Sequence, residues 1–367
     1  MPTIQVDLAE RSYAVHVDHG VLDRLGPRCR ELALGDQVAV VADEAVAVHY
    51  LQPVTASLIA AGFRPVTIPF SGGDPAKSLA TAEAVLGAMI EAELDRRSWV
   101  LALGGGVVGD LAGFAAAVYL RGIPFVQVPT TVVAQVDASV GGKTAVNHRL
   151  GKNLVGAFHQ PRLVLIDTGV LRTLPRRELI SGMAEVVKHA VILDPELFAF
   201  LETHLEAVLD QRLDPELLDW MIARNVQLKA RIVEEDERES GSRALLNYGH
   251  TVGHAIEAAT RYERYRHGEA VILGMLAAGQ LGVLRGTWSE VERQRQDDLL
   301  ARLGIPAGLA EVEREAVVER TRSDKKRVAG RLRFVLCRRI GAAEVVDGVP
   351  EDEVRAAVAW VQERHGR

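Results

Sequence analysis

The chain's 367 residues suffice for two domains with sizeable cores, and 48% hydrophobic and 25% charged residues are ordinary for a globular protein. A net charge of -6 argues against wholesale binding to nucleic acid or acidic membranes. Cys29 and Cys337 build neither a disulfide framework nor a thiolate metal site.

Met1 to Val17 alternates apolar and polar residues like a strand and lacks the apolar core of a signal peptide. Gln37 to Ala42 reads as a buried strand ending at Asp43, followed by a helix over Val54 to Ala61. Arg64 to Phe70 is a second strand, Ser78 to Ala92 a helix, and Trp99 to Leu103 a third strand. A helix from about Asp110 and a strand at Pro124 to Val128 follow. This alternation predicts a Rossmann-like α/β domain with a mostly parallel sheet. The apolar stretch Leu111 to Leu120 is half a membrane span, so a cytoplasmic protein with no membrane partner is expected. Strand signals thin out after Asp167, and from Arg176 the pattern is helical. Proline discourages helix in the residue before it, so the boundary falls at Leu174-Pro175, giving domains 1–175 and 176–367.

Gly104, Gly106 and Gly109 fit the G-x-G-x-x-G pattern between a strand and a helix, where open backbone N–H groups meet a pyrophosphate. A tight strand-to-helix turn satisfies the same pattern. The next strand ends in Pro129-Thr130-Thr131 and lacks the ribose-binding acid, so a nucleotide domain here is a variant form with Asp43 as the ribose candidate. Further on, Asp137, Gly141-Gly142-Lys143-Thr144 and Gly151-Lys152-Asn153 set two lysines beside glycine turns, a phosphate cradle or a solvated polar loop. The spacing of a P-loop is missing, which argues against ATP hydrolysis.

On the helix Glu178 to Ile192, Leu179, Ile180, Met183, Val187 and Ala190 form the buried stripe. Ser181, Glu185 and Lys188 fall opposite, which by itself reads as surface decoration. The helix Glu216 to Ile232 carries Asn225 and Lys229 among Leu218, Ile222 and Ile232. In Asn247 to Thr260, His250, His254 and Glu257 share one helical stripe, and spacing alone makes His250 and His254 the metal-ligand pair. Hydrogen-bonded structural histidines are the alternative. Arg266-His267-Gly268-Glu269 is a second polar knot, and Arg243 and Asp324-Lys325-Lys326-Arg327 add cationic candidates.

Together these residues resemble the 3-dehydroquinate synthase family of the sugar-phosphate cyclase superfamily, from about Asp43 to Gly341. The specific blocks are Gln135-Val136-Asp137 through Gly141-Gly142-Lys143-Thr144, Leu150-Gly151-Lys152-Asn153, and Leu246-Asn247-Tyr248-Gly249-His250-Thr251-Val252-Gly253-His254-Ala255. The resemblance implies an N-terminal nucleotide-binding domain, an all-α C-terminal domain and a homodimer. It implies Glu185, His250 and His267 as ligands of zinc or cobalt, replacing the spacing-based pair and making His254 a substrate contact. For NAD it implies Asp43, the turn from Gly72, Gly73 and Asp74 to Lys77, then Gly106, Val107, Val108, Gly109 and Asp110, with Thr130, Thr131, Lys143, Lys152 and Thr173. Implied substrate contacts are Arg121, Asp137, Lys143, Asn153, Lys188, Lys229, Arg243, Asn247, His254 and one of Lys325 and Lys326. The implied substrate is a sugar-acid phosphate, 3-deoxy-D-arabino-heptulosonate 7-phosphate. Asp74-Pro75 and Ala138 depart from the usual glutamate and serine of the family. Rival readings are a sister cyclase making a valiolone or scyllo-inosose product, a metal-dependent polyol dehydrogenase, and a non-catalytic binding module.

Overall fold

The computed structural model describes residues 2–239, 241–325 and 332–365. They form two compact units, Met1–Leu174 with Asp214–Arg238, and Pro175–Leu213 with Glu239–Arg367.

The first unit contains β1 (Thr3–Val6), β2 (Tyr13–Asp18), β3 (Gln37–Asp43), β4 (Arg64–Phe70), β5 (Trp99–Gly104), β6 (Phe125–Pro129), β7 (Lys143–His148), β8 (Gly151–Phe158) and β9 (Leu163–Asp167). Seven of them make one sheet in the order β1-β2-β9-β6-β5-β3-β4. The β1–β2 pair is antiparallel and the other pairs are parallel. Parallel strands are covered on both faces, which is why β5 and β9 are buried at every position. Helices α1 (Leu25–Glu31), α2 (Glu44–Ala60), α3 (Gly73–Ala76), α4 (Leu79–Glu91) and α5 (Gly106–Val118) follow the strands. Val38, Val40 and Ala42 enter one core with Val54 and Leu58 of α2. Ala39 and Val41 enter the other with Val85 of α4 and Leu111 of α5.

The second unit holds α6 (Arg176–Leu193) and α7 (Pro195–Leu209), then, beyond α8 (Pro215–Glu235), α9 (His250–Ala259), α10 (His267–Leu284), α11 (Glu290–Leu303), α12 (Arg314–Lys325) and α13 (Glu351–His365). It also carries an antiparallel hairpin, β10 (Arg333–Arg339) with β11 (Ala342–Asp347), so it is mainly rather than wholly helical. The apolar α10 is long enough to cross a membrane by composition, and 72% of it is buried inside the protein.

Several expectations need correction. The helix expected from Asp110 starts at Gly106, so the glycine turn is its first turn, hidden in the sequence by glycine's low helix propensity. The segment read as a polar loop is the β7–β8 hairpin, laid against α5. Although α8 lies within 176–367, it groups with the first unit, packing on β1, β2 and the turn at Ala134–Ala138. Its Glu234 accepts a hydrogen bond from the Asp7 backbone at 2.9 Å, and Asp219 accepts one from Thr168 at 2.5 Å. Finally, α6 has no solvent face over residues 181–192, where Ser181, Glu185 and Lys188 are as enclosed as the apolar stripe. The helix packs against α7, α10, α11 and β11.

Candidate active site

The chain leaves β3 for β4 on one side and returns through α4 to β5 on the other, so the strand order reverses between β3 and β5. Ligands of open α/β sheets bind beyond the carboxyl ends of the strands at such a reversal. Asp43 ends β3 and caps α2, accepting a hydrogen bond from the Ala45 amide at 2.8 Å. Gly104 ends β5, and Gly105 and Gly106 open α5 with no side chain capping it. The amides of Gly106, Val107 and Val108 have no intrahelical partners there and suit an anion.

The glycines have different reasons to be there. A Cβ on Gly109 would lie 2.6 Å from Gln127 Oε1, and one on Gly104 would lie 2.4 Å from a Val108 methyl carbon, so both serve close packing. At Gly106 the nearest atom is the Ala138 Cβ at 3.3 Å. Beside this turn the Thr130 hydroxyl is buried without a hydrogen-bond partner, a polar group waiting for a ligand. The Thr131 hydroxyl accepts from the Ala134 amide at 3.2 Å, and Thr173 pairs with the Tyr50 hydroxyl at 2.9 Å. Uncapped amides, the reversal point and the orphaned hydroxyl together fit a dinucleotide.

Beyond β4, Gly72 at φ 129° and Gly73 at φ 57° bend the chain into α3. The buried Lys77 joins this turn to two other places, pairing with Asp110 on α5 and donating to Asn153 on β8. Lys152 pairs with Asp74 at 3.1 Å, so the family-variant aspartate has a partner. Lys143 begins β7 and is exposed. Asp137 lies in a single π-helical turn, Ala134–Ala138, and binds Lys229 of α8 at 2.6 Å. Such turns recur at functional sites. Arg121 is not brought to the glycine turn. It lies past the other end of α5, about 20 Å away by the rise of 13 helical residues.

In the second unit, both candidate histidine ligands occupy the first position of a helix, His250 on α9 and His267 on α10. Glycines let the backbones touch: Cβ atoms on Gly274 and Gly268 would each lie 1.9 Å from a carbonyl oxygen, of Gly249 and Ser181 respectively. The Ser181 hydroxyl of α6 also accepts from the Gly268 amide at 3.0 Å. These contacts bring three distant stretches of chain to Glu185.

The Nε2 atoms of His250 and His267 stand 3.5 and 3.4 Å from the same oxygen, Glu185 Oε1. Two ligand atoms about 2.1 Å from one tetrahedral zinc are themselves about 3.4 Å apart. Neither Glu185 oxygen, though fully buried, accepts a hydrogen bond of normal geometry. His250 Nδ1 is held by the Tyr248 carbonyl at 3.0 Å, and His267 Nδ1 by Glu257 Oε2 at 3.4 Å, leaving each Nε2 to face Glu185. Side-chain exposure rises from 0% at Glu185 through 11% at His250 to 36% at His267, so the set opens on one side. Donor type, spacing and opening fit a divalent ion with a position left for substrate.

The charges agree. Burial would raise the Glu185 carboxyl, but Lys188, with Nζ 2.5 Å away, and the two imidazoles hold it well below its usual range. Burial, with Lys188 adding, outweighs Glu185 and pushes His250 down to about 3, a neutral imidazole at physiological pH. Burial opposes charge on His267, yet Glu185 and Glu257 outweigh it and raise its pKa to about 10.

His254 lies one turn along α9 and is exposed, its ring 5.2 Å from that of His250 and 5.7 Å from that of His267. Ring nitrogens of His250, His254 and His267 lie within 4.8 Å of one another, so the spacing-based pair stands together with His267, while the contacts to Glu185 come from His250 and His267. Arg243 is buried in the turn Ser242–Asn247, where Asn247 donates to Glu239 at 3.2 Å. Lys325 ends α12, and Lys326 lies outside the described residues. Sequence reasoning missed the role of Ser181, which depends on a contact between helices, and the Tyr248 carbonyl, a local partner two residues before His250.

Known proteins share this architecture. The family models for the 3-dehydroquinate synthase N-terminal and C-terminal regions match residues 67–181 and 182–327. The 3-dehydroquinate synthase of Nostoc punctiforme is 47% identical over 353 residues, covering 96% of this chain and 97% of the relative. That of Geobacter metallireducens is 49% identical, covering 94% and 96%. The solved 2-epi-5-epi-valiolone synthase of Streptomyces hygroscopicus, with NAD+ and Zn2+ bound, superposes with a TM-score of 0.89 at 33% identity, covering 98% of this chain and 99% of that one. The chain belongs to the 3-dehydroquinate synthase family and is an enzyme of that type.

Proposed function

We propose that the protein converts 3-deoxy-D-arabino-heptulosonate 7-phosphate to 3-dehydroquinate and phosphate, the shikimate-pathway reaction, using NAD and a divalent zinc or cobalt ion. The observation that carries this is the convergence of two imidazole nitrogens on one buried Glu185 oxygen at ligand-to-ligand distance. NAD supplies a reversible hydride acceptor, and the ion supplies Lewis acidity that eases ionisation of a substrate hydroxyl.

Glu185, His250 and His267 would hold the ion, with Lys188 offsetting the carboxylate charge. The α5 amides, Asp43 and Thr130 would hold the dinucleotide. Lys152 and Lys143 offer ammonium groups to the substrate phosphate, and Asn153, fixed by Lys77, offers a neutral amide. Lys229 orients Asp137, and Arg243, Asn247 and His254 complete the contacts to the sugar acid. Loss of phosphate takes the proton beside the transient ketone, with a phosphate oxygen as its acceptor, and the lysines stabilise the departing charge. The reading includes a cytoplasmic homodimer, with no nucleic-acid partner. Arg121, past the end of α5, would add a further cation for the substrate.

The test is phosphate release from the heptulosonate phosphate with catalytic NAD, before and after a chelator. Release is expected to need both cofactors without accumulating NADH. Stoichiometric NADH would instead point to a polyol dehydrogenase.

A further inference from the structure

Glu185 and Lys188 lie 2.5 Å apart, so their charges largely cancel before any ion arrives. The other two partners of Glu185 within this unit, His250 and His267, both sit at the positive ends of helices. A divalent ion placed there adds two positive charges beside a fully buried carboxylate that is already matched. Burying such charge without a counter-charge is costly.

Glu257 answers this need. It is 3% exposed, lies on the same stripe of α9 as His250, and places Oε2 3.4 Å from His267 Nδ1. The two imidazoles are therefore supported unequally, His250 by a neutral carbonyl and His267 by a carboxylate. A carboxylate behind an imidazole fixes its tautomer and strengthens its donor nitrogen.

We propose that Glu257 is a positioning residue for the divalent ion, holding His267 with Nε2 toward the ion by setting a carboxylate behind that imidazole. The proposal rests on the Glu185, His250 and His267 ligand set and extends it by one residue that touches neither ion nor substrate.

The experiment titrates Co2+ into the full-length metal-free chain, following its d–d absorption and its dissociation constant against a competing chelator. Wild type, His250→Ala, Glu257→Ala and Glu257→Gln are compared, with thermal melting of each metal-free protein as the control for folding. Glu257→Ala is expected to weaken Co2+ about 10–100-fold and alter the absorption band. Glu257→Gln, which keeps an acceptor but loses the charge, is expected to fall between it and wild type. Wild-type affinity and spectrum in Glu257→Gln, with His250→Ala defective, would overturn the role of Glu257 alone, even if Glu257→Ala fails to fold. Wild-type affinity in His250→Ala would overturn the ligand set and this inference with it.

Discussion

The two candidate sites are built from different materials. At the nucleotide turn the working groups are backbone amides of one continuous segment, Gly104 to Asp110, made available by a strand end and a helix start. At the ion site they are side chains from α6, α9 and α10, brought together by helices in backbone contact through Gly268 and Gly274. A turn made of backbone keeps its fold where a glycine has room, even when a new side chain obstructs the ligand, whereas converging side chains depend on the helix contacts that hold them together. The contrast can be tested directly.

The largest effect is expected from Glu185→Ala or His267→Ala, each removing a proposed ligand. Activity should drop roughly a thousandfold or more, with loss of bound metal measured by elemental analysis. Full activity in a metal-free variant would break the comparison. Next, Gly268→Ala and Gly106→Ala should separate the two kinds of site. The former drives a Cβ into the Ser181 carbonyl and should destabilise by about 1–3 kcal/mol or more in urea unfolding, with weaker metal binding. The latter meets only Ala138 at 3.3 Å, so stability should change little while NAD affinity falls in a fluorescence titration.

A pH measurement sharpens the comparison further. His250 is already neutral and Glu185 already ionised at neutral pH, whereas His267, with its pKa raised to about 10, carries a proton that the ion must displace. Metal binding should therefore release one proton, and affinity should rise with pH by up to about tenfold per unit until about pH 10. Calorimetry in buffers of different ionisation enthalpy would detect this, and no proton release would count against the charge state of His267. The smallest effect on stability is expected from Lys152→Ala, under about 1 kcal/mol because its pair with Asp74 is partly exposed. Its substrate or cofactor affinity should nevertheless weaken in steady-state kinetics.

The same contrast governs what could be read from the residues. Strands β3, β4, β5 and β6 stand out because they are short runs rich in apolar and β-branched residues between turn signals. The first turn of α5 does not, since glycines disguise a helix start. A helical wheel assumes a solvent face, so it sends Glu185 and Lys188 to water when α6 has none there. Spacing along one helix favours His254 over His267, because the contact between α9 and α10 leaves no periodic trace. Family motifs point to His267, which periodicity along α9 does not reach.

Helix α8 has one more consequence. The β-sheet it covers is encoded wholly before residue 175, yet the helix that brings Lys229 to Asp137 is encoded only after α6 and α7. During synthesis the sheet must wait, with that flank bare, until Arg238 has left the ribosome. A fragment released at Leu174 would expose the surface that α8 normally covers, and aggregation is its expected fate.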